Sequence, residues 1–107
     1  MHNIIIKGRD NPVILEFTFN GDFETNGLNT FDYITLSIDN ESYSTQDADN
    51  KLTISNDGMN LILNIGDSTS LPVGYYTPTV IGYSPTYNDG YVLNSDDKKE
   101  LSKIMVK

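Results

Sequence analysis

The chain has no cysteine and no tryptophan among its 107 residues, a single histidine, and seven cations against fifteen acids. Without cysteine there can be no disulfide, no thiolate metal site and no cysteine nucleophile. That absence also favours folding in a reducing compartment. The lone histidine, His2, stands beside the N-terminus, so a histidine general base or a multi-histidine metal site has nothing to build on. Serine is plentiful, but no Gly-x-Ser-x-Gly turn or phosphate-cradling glycine loop occurs. The expectation is a protein that is not an enzyme and needs no cofactor.

Long apolar runs are missing too. Ile4-Ile5-Ile6 is three residues long, where a signal-peptide core takes at least about seven and a membrane span about twenty. The sequence therefore reads as a soluble product, or as a domain of something larger, with no membrane contact. The shortage of cations weighs against nucleic acid, whose binding depends on Lys and Arg neutralising phosphates. Their placement is informative as well. Fourteen of the fifteen acids fall between Asp10 and Asp97, where Lys51 is the only cation, and the others lie near the ends: Lys7, Arg9, Lys98, Lys99, Lys103 and Lys107.

Helical periodicity is almost absent, and period-two alternation recurs every eight to twelve residues or so between turn signals, the pattern of a sandwich or barrel. Val13, Leu15, Phe17 and Phe19 alternate with polar Glu16 and Thr18. Ile34, Leu36 and Ile38 alternate with Thr35 and Ser37, and a short polar strand is expected over Glu41 to Thr45. Leu52 and Ile54, the turn Asn56-Asp57-Gly58, and then Met59, Leu61, Leu63 and Ile65 read as a hairpin. Ser95-Asp96-Asp97 suits a helix cap, and Leu101 to Val106 a last strand with Ile104 and Val106 inward. No repeat or linker interrupts residues 1–107, so one domain is expected.

Leu71-Pro72-Val73-Gly74-Tyr75-Tyr76 carries the Leu-x-x-Gly-x-Tyr spacing of the corner in immunoglobulin-like sandwiches, where the tyrosine hydroxyl bonds back to the corner backbone. Leu71, Gly74 and Tyr76 are thus expected to be structural, with the Tyr76 ring buried. The fold class predicted is an all-β, immunoglobulin-like antiparallel sandwich of about seven to eight strands. Pro78 conflicts with it, since proline cannot donate to the ladder of a central strand. A bulge or an edge position is required.

Two groups of residues are candidates for binding. Tyr83, Tyr87 and Tyr91 bracket the turn Asn88-Asp89-Gly90, and tyrosine suits recognition because its ring offers area and its hydroxyl a polar tip; half-buried strand tyrosines would look the same. Lys7, Arg9, Lys103 and Lys107 would form a basic edge if the first and last strands are neighbours. Ile5, read as outward-facing with Ile14, Ile62 and Ile81, would add apolar area there. Asp47-Ala48-Asp49-Asn50, Asp89 and Asp96-Asp97 suit calcium only loosely, lack a complete calcium-loop signature, and read better as turns.

Asn11-Pro12 before an alternating strand, Gly66-Asp67, the Leu71 to Tyr76 corner, and Tyr87-Asn88-Asp89-Gly90-Tyr91 ahead of a short last strand together resemble the small β-sandwich accessory proteins encoded among tailed-phage structural genes. The resemblance implies a non-catalytic virion component, such as a head-decoration, tail or fibre-attachment protein. Its partners would be copies of itself and the larger virion, assembled in the host cytoplasm, and no catalytic residues carry over. The alternative is a carbohydrate-binding or adhesin-type module using the Tyr83, Tyr87 and Tyr91 surface.

Overall fold

The computed structural model describes residues 4–17, 26–93 and 104–107. In chain order its strands are β1 (Ile4–Ile5), β2 (Val13–Glu16), β3 (Tyr33–Ile38), β4 (Glu41–Ser44), β5 (Leu52–Ile54), β6 (Asn60–Leu63), β7 (Gly74–Tyr76), β8 (Thr79–Tyr83), β9 (Tyr91–Val92) and β10 (Ile104–Val106), with a 3-10 turn at Gly27–Thr30. The protein is all-β. Three sheets form, in the orders β1-β10-β7, β2-β6-β5 and β4-β3-β8-β9.

Where polar residues stand at every second position, as in β3, they fix which face turns inward, because a one-residue slip would exchange the faces. In β3 the pattern places Ile34, Leu36 and Ile38 at 0% exposure, with Thr35 and Ser37 outside. Val13 and Leu15 of β2 and Leu61 and Leu63 of β6 do the same on a second sheet, and Ile104 and Val106 of β10 on the third. All of them belong to one buried cluster. Phe19 and the helix cap expected at Ser95-Asp96-Asp97 lie outside the described residues.

The β5–β6 hairpin turns where expected. Gly58 adopts φ +75°. The Ser55 hydroxyl and the Met59 N–H both donate to the Asp57 carboxylate, which lowers its pKa. This turn also meets a distant stretch of the chain: Leu28 N–H donates to Gly58 O at 2.8 Å. A Cβ on Gly58 would stand 2.3 Å from Asn26 O, and one on Gly27 2.5 Å from Gly58 O. The two glycines let the backbones touch.

The described strands number ten rather than seven or eight, partly because the stretch from Gly74 to Tyr83 is divided. Pro78, buried, falls between β7 and β8, and these pair in different sheets. It therefore needs neither the bulge nor the edge position expected of it. The missing N–H costs no ladder bond where the ladder itself changes sheets.

Candidate functional site

The first and last described strands are neighbours. β1 runs parallel to β10, with Ile4 opposite Met105 and Ile5 opposite Val106. Lys107 N–H donates to Ile5 O at 2.9 Å, and Lys7 N–H donates to Lys107 O at 3.1 Å. In a parallel ladder that pattern places Ile6 opposite Lys107.

Ile5 must be corrected. It is 0% exposed, on the face it shares with Ile104 and Val106, and Ile6 is the outward residue. Three isoleucines in a row contain no polar side chain to mark the solvent face, so alternation alone cannot set the phase. Of the other aliphatics expected outside, Ile14 is exposed, while Ile62 and Ile81 are half-buried.

The outer face of this sheet carries a cross-strand row, Ile4–Met105–Tyr75. Tyr75 is 69% exposed on β7, which ends the sheet, and Val73 just before it is 72% exposed. Because Gly74 pairs with Val106, Val73 comes level with Lys107.

Basic residues gather at the same end. Arg9 N–H donates to Ile6 O, closing a tight turn, and Gly8 N–H donates to Gly66 O at 2.7 Å. Gly66 must be glycine for this, since a Cβ would lie 2.2 Å from Arg9 O. Lys7, Arg9 and Lys107 are thereby held close together and exposed. One residue beyond Gly66, Asp67 meets Lys51 at 3.8 Å, and the Lys51 ammonium also donates to Ser68 Oγ. Lys7, Arg9, Lys51 and Lys107 are all the cations among the described residues; Lys103 lies outside them.

The corner at Leu71 has the expected bond. Tyr76 O–H donates to Pro72 O at 2.6 Å, and Leu71 is 1% exposed. The ring, expected to be buried, is half-buried against the core, because its hydroxyl reaches the corner at the surface. Gly74 has φ +158°, a backbone conformation that side chains rarely adopt, although a Cβ there would meet the Tyr76 ring only at 3.9 Å.

The tyrosines after Tyr83 belong to a larger aromatic group. Tyr33 and Tyr83, directly opposed on β3 and β8, stack with centroids 4.8 Å apart. Tyr87 meets Tyr91 edge-on at 5.1 Å, and Phe31 contacts both at 6.0 and 6.2 Å. Gly82 leaves the space that the Phe31 ring fills, since a Cβ there would stand 2.6 Å from it. Most of this aromatic surface is spent within the domain. Tyr91, 40% exposed, and Val92, 41% exposed, are what it offers outward. Phe31 and Tyr33 give no signal of this role in the sequence, because they lie some fifty residues from the tyrosine-rich segment and beside polar Asn29, Thr30 and Asp32.

Among the described residues the most heavily bonded acid is Glu41, at the start of β4. Tyr43 and Thr69 hydroxyls donate to one carboxylate oxygen and the Ser70 N–H and hydroxyl to the other. Burial alone would raise its pKa, but the donors from Tyr43, Ser70 and Thr69 outweigh it and hold the carboxyl at about 2. Burial and the hydrogen bond to Glu41 push the Tyr43 phenol up. This carboxylate is saturated, so it is an anchor for the loop at 69–70 and not a proton carrier. Asp47 and Asp49 likewise accept backbone N–H groups, from Ser44 and Lys51, as turn residues do. Among the described residues no three His, Asp or Glu side chains are grouped to hold a metal ion, and no helix is long and apolar enough to cross a membrane.

No protein-family model matches the chain, and neither does any curated protein or solved structure.

Proposed function

We propose that this protein is a non-catalytic structural component that acts through protein–protein assembly, using the outer face of the β1-β10-β7 sheet. The observation that carries this reading is the apolar surface of Ile6, Val73 and Tyr75 beside Lys7, Arg9 and Lys107, on a chain otherwise dominated by acids. Exposed apolar area next to charge of the minority sign is how a surface both attracts a partner and holds it.

The finer fold reading is an immunoglobulin-like sandwich. In it β7 and β8 are two halves of one strand interrupted at Pro78, and β9 and β10 return beside them, since β8 pairs with β9 and β7 with β10, both antiparallel. The Tyr76–Pro72 bond at the corner supports it. With the resemblance in sequence style, the setting proposed is a tailed-phage virion assembled in the host cytoplasm. The carbohydrate-binding alternative has less support, because Tyr83 and Tyr87 are engaged with Tyr33 and Phe31 and only Tyr91 of the three offers much ring to a sugar.

The test is recovery of the chain in purified native particles. The parent should be present in a fixed ratio to the shell or tail protein. A Tyr75→Glu, Ile6→Glu variant that keeps the parent's circular dichroism should be lost from them. Particles that never contain the parent, or glycan binding abolished by Tyr91→Ala, would overturn the reading.

A further inference from the structure

With no cysteine, the chain cannot join two of its strands by a disulfide. Tyrosine also forms covalent cross-links on oxidation, because a phenol that gives up one electron and one proton leaves a radical shared with the ring carbons beside its oxygen. Two such radicals couple through those Cε carbons where the rings are already neighbours. Among the described residues two tyrosine pairs have rings in contact. Tyr87 and Tyr91 meet edge-on at 67°, with Phe31 against both.

Tyr33 and Tyr83 are arranged differently. They stand directly opposed on β3 and β8, nearly parallel at 11°, with ring centroids 4.8 Å apart. Both are half-buried, on the face of the sheet turned away from buried Ile34 and Gly82, where small solutes reach them. The backbone holds the pair in place. Asp32 N–H donates to Tyr83 O at 2.8 Å, and on the β9 side Gly90 lies so close that a Cβ there would stand 3.0 Å from Tyr83 Cε1. Cβ atoms directly opposed on antiparallel strands are about 4.5 to 5.5 Å apart, a span that two phenols joined through Cε can bridge once each ring turns about its Cβ–Cγ bond.

We infer that Tyr33 and Tyr83 are a site of oxidative cross-linking, converted by hydrogen peroxide and a haem catalyst into an intrachain dityrosine that staples β3 to β8. Each phenol loses one electron and one proton, and the two radicals form a Cε–Cε bond. The hydrogens on the coupled carbons then pass as protons to the oxygens, which restores both phenols. The two electrons and two protons released reduce one hydrogen peroxide to two waters. Because the rings are held side by side, coupling is unimolecular and at low protein concentration outruns coupling between chains.

Treatment of the dilute full chain with a peroxidase-active haem peptide and limiting hydrogen peroxide tests this. The product should stay monomeric, weigh two hydrogen atoms less, fluoresce as dityrosine and release on proteolysis a linked pair of peptides carrying Tyr33 and Tyr83. Tyr33→Phe and Tyr83→Phe keep the stacked ring but remove one radical partner, and each should lower the intrachain product about tenfold or more. Tyr75→Phe should leave the yield as in the parent. In urea the parent should lose the Tyr33–Tyr83 link in favour of mixed products. A link that maps to Tyr87 and Tyr91, covalent dimers as the sole product, no dityrosine at all, or a Tyr33–Tyr83 yield that urea leaves unchanged overturns the inference.

Discussion

Glu41 and Ser70 are joined by two hydrogen bonds to a single carboxylate oxygen, from the Ser70 N–H at 2.9 Å and from its hydroxyl at 2.7 Å. Together with the donors from Thr69 and Tyr43 they pin the loop after β6 to the start of β4, twenty-nine positions away in sequence.

This anchor predicts a pH dependence. The Glu41 carboxyl is held at about 2 in the folded protein against an ordinary value of 4.5. A group depressed on folding contributes stability that is complete above its unfolded value and fades as pH falls from 4.5 toward 2. Glu41→Gln should cost about 2 kcal/mol at pH 7, the scale of hydrogen bonds to a charged group. Urea midpoints of parent and variant should converge across that acid window, and a gap that stays constant down to about pH 2.5 would contradict the assignment.

The corner bond predicts a smaller effect. Tyr76→Phe should lower stability by about 1 kcal/mol through the lost bond to Pro72 O, with no change in denaturant slope. Tyr75→Phe, its exposed neighbour, should stay within about 0.5 kcal/mol of the parent. Equal effects at the two positions would remove the corner's role.

Gly58 and Gly8 both have positive φ, at +75° and +82°, but differ in surroundings. Alanine at Gly8 meets nothing within 4 Å, so it should cost only the left-handed backbone penalty of roughly 1 to 2 kcal/mol. Alanine at Gly58 must also displace Asn26 O, and should cost more by about 1 kcal/mol or above. Thermal unfolding of the two variants gives the comparison directly.

The phase of β1 can be checked the same way. Ile5→Ala should cost about 2 to 4 kcal/mol, as for a core aliphatic, and Ile6→Ala less than about 1 kcal/mol. The opposite ranking would restore the orientation expected from alternation.

Legibility in the sequence follows the polar residues. β3 can be read with its faces because Thr35 and Ser37 mark the wet side, and the β5–β6 hairpin because Asn56-Asp57-Gly58 is turn chemistry with few alternatives. Ile4-Ile5-Ile6 offers no such mark, and alternation assigns it the wrong phase. The Tyr76 bond can be anticipated because donor and acceptor are four residues apart. The Gly27–Gly58 contact, the Glu41–Ser70 anchor and the Phe31–Tyr87 pair are out of reach. Each depends on how distant segments lie against one another, and short-range pattern carries no information at that separation.

The parallel pairing of β1 with β10 also determines how the molecule answers to tension. A pull on the chain at Ile4 draws β1 back along its own axis, while a pull at Lys107 draws β10 forward along the same line. The bonds from Lys107 to Ile5 and from Lys7 to Lys107 are then loaded side by side and must yield together, whereas in a hairpin pulled from its open end they would break in succession. Load applied through the two ends of this chain therefore meets a clamp in shear, with Ile5 and Val106 as its buried backing.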